Sequence, residues 1–67
     1  MFKVTIGNNI IETLDSLVQA ICFVTVVCNR HDYIFGIGNI YKTLDNKLLI
    51  DLYDKDNNIV KCIIIEI

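Results

Sequence analysis

Proline is absent from this 67-residue chain, and glycine occurs only three times. A collagen-like fibre is therefore excluded. Apolar residues reach 54% and charged residues stop at 21%, which excludes a disordered tail or a charged linker. Basic residues are also scarce. Six Lys and Arg stand against eight Asp and Glu, for a net charge of −2. Lys42, Lys47, Lys55 and Lys61 are isolated singles, so no basic patch is offered to a nucleic-acid backbone. The acidic side chains Asp45, Asp51, Asp54 and Asp56 are too sparse for a DNA mimic.

Long hydrophobic runs are missing too. The longest, Leu17 to Cys28, is 12 residues and is interrupted by Gln19 and Thr25, whereas a membrane span takes about 20. The N-terminus lacks a signal-peptide layout. Cys22, Cys28 and Cys62 make an odd set, unlike a secreted disulfide framework. The expectation is a soluble, cytoplasmic protein with reduced thiols.

What is present is apolar surface in excess. Mean hydropathy is +0.51, and a domain of about 60 residues buries only about 60% of the surface its unfolded chain exposes. The chain therefore reads as one domain, residues 1–67, with more apolar surface than one copy can cover.

Phe2, Val4 and Ile6 alternate with Lys3 and Thr5, the period of a half-buried strand, and Gly7-Asn8-Asn9 breaks it. Asn9 with Glu12 forms a capping-box pattern. Ile10, Ile11, Leu14, Leu17, Val18, Ile21 and Cys22 follow on one helical stripe, predicting a helix over about 10–20. Phe23-Val24-Thr25-Val26-Val27 is β-branched and aromatic, which predicts a central strand. Asn29 to Asp32 reads as a turn, and Tyr33 to Thr43 as the next strand, with the helix lying over Gly36 and Gly38. A three-residue loop, Asp45-Asn46-Lys47, sets Leu44 against Leu48 and Ile40 against Leu52, leaving Lys42 to snorkel at the core edge. Asp54 to Asn58 is the last turn, and Ile59 to Ile67 the last strand, apolar on both faces.

The predicted fold is α+β. One N-terminal amphipathic helix packs on a mainly antiparallel sheet of four to five strands, in the order β-α-β-β-β-β. Over roughly residues 26–53, a Gly-x-x-x-hydrophobic step and Asp45-Asn46 before Leu48-Leu49-Ile50-Asp51 resemble Sm-like barrels. That resemblance implies a small SH3/Sm-like barrel as the alternative fold. It sets the motif's aspartate one residue late and has no counterpart for the opening strand.

Reactive residue types are few. Cys28 and His31 could form a thiol–imidazole pair, but so short a chain struggles to build a catalytic pocket. Cys22, Cys28, His31 and Cys62 suffice in type for a zinc site. On a regular strand, however, Cys22 and Cys28 would stand about 20 Å apart. Asp54-x-Asp56-x-Asn58 begins like a calcium loop, yet Ile59 and Ile65 occupy the places of its glycine and glutamate. Neither a catalytic site nor a metal or cofactor site is expected.

One helix covers one face of such a sheet. The other would carry Phe35, Ile37, Tyr41, Leu49 and Tyr53, too apolar to stand in water. The expected function is a non-catalytic protein-interaction module. It would self-associate through that face as a homodimer or higher oligomer and bind or inhibit another protein, without nucleic-acid or membrane partners. In style the chain resembles accessory proteins of phages or mobile elements. The alternative is a protein that sequesters a small anionic or nucleotide ligand between subunits through Arg30, His31 and Lys42.

Overall fold

Ser16, not Asn9, starts the helix. The computed structural model describes residues 1–43 and 45–67, with the side chains of 36–39 excepted. Strand β1 (Phe2–Ile6) turns through Gly7 into β2 (Ile10–Leu14), and helix α1 (Leu17–His31) follows. Then come β3 (Ile34–Lys42), β4 (Lys47–Tyr53) and β5 (Ile59–Glu66). The order is therefore β-β-α-β-β-β. It corrects the expected helix over 10–20 and the expected strand over 23–27.

Two physical causes underlie the correction. Asn8 and Asn9 belong to a tight hairpin in which Ile6 pairs with Ile10. Gly7 supplies the left-handed backbone at φ 59° that this turn requires. Residues 10–14 are then drawn into the β1 ladder, from Ile6↔Ile10 to Phe2↔Leu14. The second capping-box pattern in the sequence, Ser16 with Gln19, is the one used. The Ser16 hydroxyl accepts from the Gln19 backbone N–H at 3.2 Å, and the Gln19 side chain accepts from the Asp15 N–H at 3.1 Å.

The β-branched residues that suggested a strand are held helical by packing. Ala20, Val24, Val27 and Cys28, at helical spacing, are the buried ones. The helix ends on Asp32 in the left-handed region (φ 57°), with Arg30 and His31 at the negative end of its dipole. Ser16→Ala is expected to cost about 1 kcal/mol in urea unfolding, and Ser16→Asp to restore most of it, because either side chain can cap Gln19.

The sheet is antiparallel and curled, in the order β2-β1-β5-β4-β3. Its partners are β1 with β2 and β5, β4 with β5, and β3 with β4. The chain enters α1 from one edge strand, β2, and leaves it for the other, β3. The helix thus crosses one face of the sheet from edge to edge. Beneath it lie Val4, Ile6, Ile50, Leu52, Cys62 and Ile64, each no more than 2% exposed. Among the described residues no polar or charged side chain is buried, the two core thiols of Cys28 and Cys62 counting with the apolar residues.

The β3–β4 register places Lys42 opposite Leu48 and Ile40 opposite Ile50. It lies two residues from the expected pairing of Ile40 with Leu52, so Ile40 keeps its face. Thr43 closes the turn: its N–H donates to the Lys47 carbonyl and its hydroxyl accepts from the Lys47 N–H. Lys42 faces the helix side and remains exposed, as snorkelling requires. Leu44 falls outside the described residues, and the expected lie of the helix over Gly36 and Gly38 falls within the stretch 36–39 whose surroundings are likewise outside them.

Candidate interaction surface

Period two divides each strand between the helix and the opposite, outer face. On the outer face the ladders align one residue from every strand. Tyr41 pairs with Leu49, Leu49 with Ile63, Ile63 with Thr5, and Thr5 with Ile11. The row is apolar except for Thr5, and it crosses the whole sheet. Its ends stand in solvent: Tyr41 is 50% and Ile11 59% exposed. Ile65, Tyr53, Ile59 and Ile34 extend the face along the strands, with Ile59 at 53% and Ile34 at 61% exposure. None of these residues packs against the core under the helix.

Charge is confined to the flanks of the row. Lys61 donates to Asp51 at 2.8 Å on the facing strand. That hydrogen bond to the carboxylate, with its charge, holds the Lys61 ammonium above its usual range. Lys47 and Lys3 flank Ile65 on the other side.

Of the five residues expected on this face, Tyr41, Leu49 and Tyr53 lie on it. Phe35 does not. It pairs with Leu52, a core residue, and packs toward the helix, while Ile34 pairs with Tyr53 and faces out. The register slips between Phe35 and Ile40. Five steps on β3 there match two on β4, an odd offset that exchanges inner and outer positions. The side chain of Ile37, the fifth residue, lies outside the described residues. Ile63, Ile65 and Ile11 were not among the expected residues, although the alternation of Ile59, Lys61, Ile63 and Ile65 already set one apolar stripe of β5 beside a lysine.

Arg30, His31 and Lys42 do not converge. Arg30 and His31 end the helix, and the His31 ring stacks on Tyr33 at 5.4 Å. Lys42 instead borders a groove of about 400 Å³ beside Leu17, the first helical residue. At 1.5 Å per residue the two ends of α1 are roughly 20 Å apart. The groove is lined by the apolar Phe2, Leu48 and Ile64 and by the charged Lys42 and Glu66.

The cysteines also separate. With residues 22–28 helical, Cys22 is exposed while Cys28 is buried on the inner side of the helix and Cys62 is buried in β5. Among the described residues no three His, Cys, Asp or Glu side chains are grouped to hold a metal ion. Burial pushes the Cys28 thiol up, away from the thiolate that a nucleophile needs. The Cys62 thiol, desolvated and close to Cys28, is pushed up from 9.0 to about 12. An unfolded thiol ionises first, so the stability from Cys62 is complete below pH 9 and is lost as pH rises toward 12. Iodoacetamide at pH 8 is accordingly expected to modify Cys22 alone, and all three cysteines in urea. Mass spectrometry counts the adducts, and equal labelling of Cys62 in the folded state would contradict its placement.

The calcium-like segment is a turn. The Asp54 carboxylate accepts from the Asn58 and Asp56 backbone N–H groups at 2.8 and 2.9 Å, which holds it below the usual carboxylate range. No protein-family model, curated protein or solved structure matches this chain. Among the described residues no helix is long and apolar enough to cross a membrane.

Proposed function

We propose that this chain is a non-catalytic interaction module that pairs with a second copy through the outer face of its sheet and, as that pair, binds or blocks another protein. The observation that carries the reading is the row Tyr41–Leu49–Ile63–Thr5–Ile11, which crosses all five strands and of which no residue belongs to the described core under the helix. A sheet face of this kind finds cover by stacking on another at about 10 Å, its apolar side chains interdigitating. A two-fold axis lets one surface serve both partners. Burial of the apolar row drives the contact, and the Asp51–Lys61 pair at its margin stays wet. The role needs shape alone, in keeping with a Cys28 thiol held protonated.

Sedimentation velocity at micromolar concentration tests the pairing. The expected species has twice the 7.7 kDa mass of the chain. A strictly monomeric protein up to about 100 µM, a concentration at which an interface of ordinary size would be filled, overturns it.

A further inference from the structure

The helix presents a second apolar surface, on the side of the molecule opposite the outer sheet face. Ala20, Val24, Val27 and Cys28 point into the core. At 100° per residue Cys22 lies at the middle of the opposite, outward side. Val18, four residues before it, is 73% exposed, and Val26, four residues after it, is 46% exposed. Gln19 and Thr25, three residues to either side of Cys22, are exposed, as are Asn29 near the C-terminal end of the helix and Asp15, which stands just before the N-cap Ser16.

This surface is close to palindromic about Cys22. A two-fold axis through Cys22 sets each residue after it against the residue equally far before it in the partner, and the reverse, so the Val18 and Val26 pair meets twice. We infer that the outward face of α1 pairs antiparallel with the same face of a second copy, about an axis through Cys22. Val18 then packs on the partner copy's Val26, and Gln19 lies beside Thr25, an amide beside a hydroxyl. Asp15 comes next to Asn29 and Arg30, placing a carboxylate near the basic end of the facing helix at both ends of the contact. Antiparallel helices also bring opposite dipole ends together. The parallel arrangement would instead set Arg30 on Arg30 and Asp15 on Asp15.

A 15-residue helix is about 22 Å long, so a helix pair covers less than the ~800 Å² per partner of an ordinary stable interface. By itself the contact belongs to the weak class. It does not depend on pairing through the sheet. Two copies stacked by their sheets carry their helices on opposite outer sides, where they cannot touch.

Cysteine crosslinking with copper–phenanthroline as oxidant reads the register, since Cys28 and Cys62 are buried and silent. In a Cys22→Ser background, Val18→Cys and Val26→Cys are prepared singly and mixed. The antiparallel pair predicts that 18 joins 26 at least about tenfold faster than 18 joins 18 or 26 joins 26, because like positions stand about 12 Å apart along the axis. Equal rates for all pairings, or faster joining of like positions, overturn the inference. Repeating the mixture with Ile63→Glu added separates the two contacts. The 18-to-26 preference is expected to survive there, and its loss in that background also overturns the inference.

Discussion

Ile50→Ala is expected to destabilise the domain by about 2–5 kcal/mol, the usual cost of emptying a fully buried isoleucine site. Ile50 is 0% exposed and lies between Ile40 and Cys62 on the neighbouring strands. The ladder on both sides limits how far the cavity can collapse. At about 0.05–0.15 kcal/mol per residue, a domain of this length has only some 3–10 kcal/mol in total, so the variant sits at the edge of folding. Urea unfolding should show a lower midpoint at unchanged slope. Ile34→Ala is the matched control. Ile34 is 61% exposed because of the register slip in β3, and its loss should stay within about 0.5 kcal/mol. Comparable costs at the two positions would mean that β3 faces the other way.

Ile63→Glu is expected to abolish pairing through the sheet while leaving the fold intact. Ile63 stands on the central strand between Leu49 and Thr5. In a two-fold contact its replacement brings two carboxylates into an apolar, poorly solvated centre, where an unpaired charge is strongly penalised. Weakening by at least about 100-fold follows, close to 3 kcal/mol. In the free monomer the same carboxylate remains partly solvated. Lys61 lies two residues away on its strand and Lys3 on the diagonal of β1, so the sheet can accommodate it. Sedimentation should report the 7.7 kDa species, and circular dichroism an unchanged spectrum. A variant that still pairs would place the contact elsewhere.

Much of the sheet was legible in the residues. Alternation marked β1, while Gly7-Asn8-Asn9 and Asp54 to Asn58 carry turn chemistry strong enough to be read locally. The helix was not, because local and tertiary preferences disagree there. Residues 10–14 satisfy a helical stripe and a strand equally well, and pairing with β1 decides between them. Val24, Val26 and Val27 favour strand locally, but the Ser16–Gln19 cap and the burial of Ala20 and Cys28 make the segment helical. Tyr41, Leu49 and Tyr53 were placed correctly because parity is unbroken from Ile40 to Lys42 and along β4. Phe35 was misplaced because an odd slip leaves no trace in an alternating pattern. The separation of Lys42 from Arg30 and His31 follows from helix length, which a misread helix could not provide.

The strand order carries a consequence for how the molecule comes into being. β5 follows the other four strands in the sequence yet sits in the middle, bridging β1 and β4. Until residues 59–66 exist, the polypeptide holds two separate hairpins, β1–β2 and β3–β4, with no ladder between them, and an isolated hairpin is marginal in water. Assembly of the sheet therefore waits for β5, and joining it to β1 closes a loop that holds β2, α1, β3 and β4. During that interval the stripes destined for both sheet faces are open to neighbouring nascent chains.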